Sequence, residues 1–222
     1  VYLLYLDIWL WGFQKFLCYY KLMIKAFLFD WGGVMSVGGK GGELDARLGA
    51  ALHINAEAAW QLLRLVWEDF SKGTIDEPEL WRRIEKAHGQ SIAPSQRNIW
   101  NKWEDTSLLL EMDALVARLR GEGYKVGLVS NTIPVTAADI RNHGGYAIFD
   151  FSILSCEVGC AKPDSAIYWL AMAQLPGIEP SETVFVDDQE RCLAPARELG
   201  MYTIQSQNAA QVTRDVDRIL AS

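Results

Sequence analysis

Three short stretches of the chain end an apolar run on a side chain that can do chemistry, and a fourth opens a helix on one. "FLFDWGGVM" places Asp30 and the pair Gly32 and Gly33 directly behind Phe27-Leu28-Phe29. "GLVSNT" ends on Ser130 and Asn131, "VFVDDQERCLAPARELGM" on Asp187 and Asp188, and "GCAKPDSAIY" presents Lys162 ahead of a helical stretch. Each type suits one part of phosphoryl transfer. A carboxylate such as Asp30 can attack phosphorus and form an acyl phosphate, dividing one difficult hydrolysis into two easier steps. The Ser130 hydroxyl and Asn131 amide, with neighbouring backbone N–H groups, can hold non-bridging phosphate oxygens. Lys162 offsets the crowding of negative charge and can hold the carboxylate in place. Magnesium favours one or two carboxylates with substrate phosphate and water, so Asp30, Asp187 and Asp188 form a candidate Mg2+ site. The backbone carbonyl of Gly32 can join that site, and the small Gly33 leaves room for a phosphate to approach the backbone as substrate.

Taken singly, each residue also has a structural explanation. Asp30 could fix a turn, Ser130-Asn131 could cap the next helix, and Lys162-Pro163 is a common helix start. Asp187-Asp188 could complement the dipole of the helix that follows. Capping alone does not account for all four at strand or helix edges in this order.

The elements that must position these residues alternate. "IKAFLFD" predicts a buried strand. From about residue 112 onward, helix "DALVARLRGEGY", strand "KVGLVSN", helix "PVTAADIRNHG" and strand "IFDFSILS" follow one another. Helix "PDSAIYWLAMAQL", strand "TVFVDD", helix "QERCLAPARELG", strand "MYTIQ" and helix "AAQVTRDVDRILAS" complete the series. Such alternation implies an α/β fold, a parallel sheet with helices on both faces, whose ligands bind beyond the carboxyl ends of the strands. Between the first strand and the rest, "ELDARLGAALH", "AEAAWQLLRLVWEDFSKG", "EPELWRRIEKAHG" and "SQRNIWNKWEDTS" all show helical spacing, with Trp60, Leu63 and Trp67 on one face. The expected organisation is therefore a core over 23–36 and 112–222 with a helical cap inserted at 37–111. Glycine-dense "VGGKGGE" forms the joint between them and allows closure. The tryptophans at 60, 67, 81, 100 and 103 read as helix-packing core, with one or two available to line a pocket beneath the cap.

The 222 residues carry a net charge of −7 with no basic stripe, which argues against a nucleic-acid surface. The 4 cysteines form no CxxC pair, and a reduced cytoplasmic protein without structural zinc is expected. Residues 1–22 are aromatic and apolar but are interrupted by Asp7, Gln14, Lys15 and Lys21. They read as an extension outside the working fold, and a membrane enters as a partner only if they act as an anchor.

The four stretches quoted above resemble, in order and spacing, the sequential motifs of the haloacid dehalogenase-like hydrolase superfamily, from Met23 to about Gln205. "FSKGTIDEPELWRRI" is similar to cap segments of its sugar-phosphate phosphatase branch, which includes domains like the amino-terminal one of epoxide hydrolases. The resemblance implies Asp30 as nucleophile, Ser130 and Asn131 as phosphate holders, Lys162 as the neutralising lysine and Asp188, supported by Asp187, as metal ligand. It also implies a core of the Rossmann-like, doubly wound type, magnesium and a small phosphorylated substrate, a sugar phosphate being one candidate. One position departs from the pattern. The family's phosphatases usually carry a second aspartate two residues after the nucleophile as general acid and base, and Gly32 stands there instead. A positioned proton donor contributes about 10²- to 10⁴-fold, so a good leaving group is expected to suffer less from its loss. Two other readings stay open on the sequence. One is a 2-haloacid dehalogenase, against which the acidic pair stands. The other is a catalytically weak member that binds a ligand or partner.

Overall fold

The computed structural model describes residues 23–37, 44–100 and 108–221. The expectations for the extension at 1–22, the glycine-dense joint at 38–43 and a helix through 101–107 lie outside the described residues. Five strands form one parallel sheet: β1 (Ala26–Phe29), β2 (Lys125–Ser130), β3 (Phe151–Leu154), β4 (Thr183–Asp187) and β5 (Tyr202–Gln205). The helices, in chain order, are α1 (Leu44–Leu52), α2 (Ala56–Arg64), α3 (Trp67–Ser71), α4 (Glu77–His88) and α5 (Leu110–Gly121). They continue with α6 (Pro134–Asn142), α7 (Ser155–Val158), α8 (Ser165–Ala173), α9 (Glu190–Glu198) and α10 (Ala209–Ala221).

The strand order is β3-β2-β1-β4-β5. Every residue of the central β1 is buried, which is why its sequence is continuously apolar rather than alternating. Successive side chains of β1 still point to opposite faces. Phe27 and Phe29 join Leu115 and Leu119 of α5 and Val212 and Val216 of α10. Ala26 and Leu28 join Ile167, Tyr168 and Ala171 of α8 and Leu193 and Ala196 of α9. The sheet is thus covered on both sides, a doubly wound α/β fold as the alternation implied.

Topology fixes where a site can form. The chain leaves β1 for β2 and β3 on one side, then crosses back to β4 and β5 on the other. Connections therefore diverge above the carboxyl ends of β1 and β4 and leave a crevice there. Phe29 pairs with Val186, so the next residues along, Asp30 and Asp187, emerge beside each other at its floor.

Helices α1 to α4 build a separate apolar cluster around Leu48, Leu63, Phe70, Leu80, Trp81 and Ile84, which also takes in Ile133 from the loop after β2. Their ends are specified locally. Asn55 accepts the Ala58 N–H at 2.8 Å, Asp76 accepts that of Glu79 at 2.9 Å, and α4 stops on Gly89 at φ 81. The single helix expected from Ala56 to Gly73 is broken instead at Leu65 and Val66. Their N–H groups bond to Leu62 and Leu63, three residues back, and this tightened turn leaves Leu65 exposed while burying Val66 and Phe70. The helix expected from Ser95 is also corrected over the described residues: only a 3-10 turn forms at Pro94–Gln96. Arg97 then turns back to the Ile92 carbonyl (3.1 Å) and Glu85 (2.9 Å), and Ile99 and Trp100 enter the cluster on irregular backbone. Trp60 is 40% exposed, so it is not the core residue its spacing implied.

This helical block meets the sheet at two close contacts. The buried Ser155 hydroxyl lies 2.6 Å from the Ser71 carbonyl and accepts the Thr132 N–H at 2.9 Å. At Gly73, φ 66, a Cβ would come within 2.0 Å of the Cys156 carbonyl, so only glycine permits the approach.

Candidate active site

Asp30 follows β1 and is 6% exposed. Its Oδ1 accepts the Trp31 N–H at 2.7 Å and lies 2.8 Å from Nζ of Lys162. The same Nζ lies 2.6 Å from Oδ2 of Asp187, which is fully buried. Three charged groups packed this closely out of water constrain one another strongly. Burial pushes the Asp30 carboxyl from the ordinary 3.8 up to about 6; Lys162 opposes that rise and the neighbouring Asp187 adds to it. Burial by itself would drive the Lys162 ammonium toward neutrality, but the two carboxylates outweigh it and its pKa is raised.

Lys162 reaches this point because Asn131 holds its backbone. Asn131 Oδ1 accepts the Lys162 N–H at 2.8 Å, and its Nδ2 donates to the Lys162 carbonyl, also at 2.8 Å. The sequence reading gave the Asn131 amide to phosphate. The structure joins that amide to the Lys162 peptide through Oδ1 and one of the two Nδ2 hydrogens. Ser130, buried at the end of β2, lines the cavity as expected.

The acidic pair divides in two. Asp187 has both oxygens engaged, Oδ2 with Lys162 and Oδ1 with the Gln189 N–H at 2.8 Å. Asp188 is half-buried, and its Oδ1 is enclosed without a hydrogen-bond partner among the described residues. Burial, and then Asp187, raise its pKa. Gly33, φ 74, explains how Asp188 fits: a Cβ there would stand 2.6 Å from Asp188 Oδ2 and 2.7 Å from its Cγ. Gly33 therefore makes room for the Asp188 carboxylate.

One ligand atom from each of Asp30, Asp187 and Asp188 can be chosen so that all lie within 4.8 Å of one another. Lys162 is the one basic side chain in ion-pair contact with this group among the described residues. Three carboxylates against one ammonium leave an excess of negative charge, and Asp188 holds a buried oxygen that nothing satisfies. A hard divalent cation meets both conditions, so the residues present fit magnesium.

A cavity of about 420 Å³ opens above this group, between the sheet and the helical block. Besides the expected residues other than Asp187, it is lined by Trp31, Trp67, Trp100 and Tyr146, and by Thr132, Gln189 and Arg191. The sequence pointed to one or two tryptophans here without saying which. Trp31 and Arg191 were missed, although both adjoin the motif residues, at one position after Asp30 and three after Asp188. Apart from Asp30 and Asp188, no acidic side chain among the described residues lines the cavity, in keeping with glycine at position 32.

A parallel sheet with buried Asp30, Lys162 and Asp187 at its switch point defines a hydrolase architecture, and comparison with known proteins assigns the family. The chain belongs to the haloacid dehalogenase-like hydrolases, whose model matches residues 24–200. It is 26% identical over 212 residues to D-ribitol-5-phosphate phosphatase of Bacteroides thetaiotaomicron, covering 90% of this chain and all of that one. It is 45% identical over 71 residues to bifunctional epoxide hydrolase 2 of Sus scrofa, a match to 32% of this chain and only 13% of that protein. Among solved structures, a HAD family enzyme from Bacteroides thetaiotaomicron in complex with magnesium and inorganic phosphate superposes with a TM-score of 0.67 at 26% identity, covering 83% of this chain and 96% of that one. No helix among the described residues is long and apolar enough to cross a membrane.

Proposed function

We propose that this chain is a magnesium-dependent phosphatase that hydrolyses a small phosphate monoester through an aspartyl-phosphate on Asp30. The observation that carries the reading is the Lys162 ammonium shared by the buried Asp30 and Asp187, beside an Asp188 carboxylate with an unsatisfied oxygen. Asp30 is the nucleophile, attacking phosphorus in line with the departing alkoxide. Lys162 neutralises charge between carboxylate and phosphate and fixes the Asp30 oxygen. Ser130 and the backbone around Asn131 hold the non-bridging oxygens. Asp30, Asp188 and the Gly32 carbonyl would hold the metal, and Asp187 supports it by orienting Lys162. Bound magnesium supplies positive charge to the phosphoryl oxygens. In the second step water attacks the phosphorus of the aspartyl-phosphate, and Asp30 leaves as carboxylate. Residues 37–111 act as a cap, an assignment supported by Trp67 and Trp100 contributing to the cavity wall.

The relative named for D-ribitol-5-phosphate and the magnesium and phosphate complex of the structural neighbour support this reading. The dehalogenase alternative needs no cation and would leave the orphaned Asp188 oxygen unexplained. The test is phosphate release from a panel of esters with magnesium and with chelator, for the wild type and Asp30→Asn. Release that needs both metal and Asp30 is expected. Equal release in chelator, or full activity in a folded Asp30→Asn variant, would reject the mechanism.

A further inference from the structure

The walls of the cavity above the reaction centre combine polar side chains with an apolar face built mainly of aromatic rings. Of the polar side chains outside that centre, Asn131 is bound to the Lys162 peptide and Gln189 Oε1 accepts from Arg191 Nε at 2.8 Å. Arg191 itself is exposed. Besides Thr132 and Thr136, the second Asn131 Nδ2 hydrogen, the Gln189 amide nitrogen and the terminal Arg191 nitrogens stand outside these bonds. All of these groups are exposed or half-buried, so exchanging water for a sugar's hydroxyls gains little at them, and the surface that can discriminate between substrates is the apolar one.

The apolar wall is extensive, and its rings are fixed. Trp31 stands edge-on to Tyr146 with centroids 5.4 Å apart. The Tyr146 hydroxyl is buried, so the ring is what faces the cavity. Trp100 packs against Phe70 at 5.3 Å and Trp81 at 5.8 Å, and its indole N–H is spent on Glu77 Oε1 at 2.8 Å. Trp67 and Ile133 complete the face. Rings held by their neighbours lose little conformational freedom when they receive a flat ligand, and aromatic contacts favour offset or edge-on arrangements with such a ligand.

We propose that the leaving group of the substrate is flat and apolar, an aromatic alcohol rather than a sugar, received between Trp67 and Trp100 on one side and Trp31 and Tyr146 on the other. This rests on the phosphatase reading above and narrows its substrate class.

The test separates the two claims. Hydrolysis of acetyl phosphate, whose acetate leaves without needing a proton, is measured first with magnesium. Naphthalen-2-ylmethyl phosphate and glucose 6-phosphate, both esters of primary alcohols, are then added as competitors. Naphthalen-2-ylmethyl phosphate should inhibit at a concentration at least about tenfold lower, equivalent to about 1.4 kcal/mol of tighter binding. In Trp67→Ala that preference should shrink to roughly threefold or less, about 0.7 kcal/mol. Equal or reversed inhibition in the wild type overturns the substrate class, and this comparison stands whether or not the variant folds. An undiminished preference in a folded Trp67→Ala overturns the placement. If acetyl phosphate is not hydrolysed at all, the phosphatase reading fails and this inference falls with it.

Discussion

Alanine at Gly33 perturbs the metal site without touching a charged group. Gly33 and Gly177 have nearly the same backbone, φ 74 and φ 77, but different surroundings. A Cβ at Gly177 would meet nothing within 4 Å, whereas one at Gly33 would stand 2.6 Å from Asp188 Oδ2. Both substitutions carry the left-handed penalty of about 1–2 kcal/mol, and at roughly 2–4 °C per kcal/mol each should lower Tm by a few degrees. Only Gly33→Ala must also displace the Asp188 carboxylate. Displacing a group that sets ligand geometry typically weakens metal binding by about 10- to 100-fold, and that is the expected rise in the magnesium concentration giving half-maximal phosphate release. Gly177→Ala should leave that concentration within about twofold of wild type, because its cost is conformational and remote. Magnesium titration of activity, with thermal melts of both variants, is the assay. If Gly33→Ala matches Gly177→Ala in magnesium dependence, the role given to Asp188 is refuted.

Asn131→Ala should leave Lys162 charged but free its backbone, lowering kcat by about 10- to 100-fold with a small change in KM; an unchanged kcat would refute a positioning role for Asn131. In chelator, the raised Asp30 pKa has a definite sign. Between about pH 4 and about pH 6 the folded state keeps a proton that the unfolded state has released, so Asp30 progressively destabilises the fold as pH rises through that window. Asp30→Asn cannot ionise, so its stability relative to wild type, read from thermal melts, should rise across the window by on the order of 2 kcal/mol, and a constant difference would contradict the burial argument. Gly32→Asp, by supplying a proton donor, should raise turnover of alkyl esters relative to acetyl phosphate, read as a change in the ratio of their kcat values.

Much of the fold could be read from the sequence because burial on both faces writes itself as continuous hydrophobicity. "AFLF" and "TVFVD" are such runs, and the rule that ligands collect beyond carboxyl ends turned their next residues into a site. The sequence was less informative wherever a side chain had a choice of partner. Asn131 could face phosphate or the Lys162 peptide, and nothing local decides between them. Gly33 is small for Asp188, a contact across 155 positions of chain that neither stretch encodes alone. The break at Leu65-Val66 follows from which residues the helical block buries, so tertiary packing overrode a good helical pattern. The aromatic wall draws on residues 31, 67, 100 and 146, whose convergence depends on the fold.

The attack by Asp30 is tested most directly by quenching turnover in acid and mapping covalent phosphate by mass spectrometry. With magnesium and acetyl phosphate, a phosphoryl group should appear on the peptide containing Asp30 and be absent from Asp30→Asn. Sustained phosphate release with no phosphoryl group on that peptide, or with one on another residue, would contradict it.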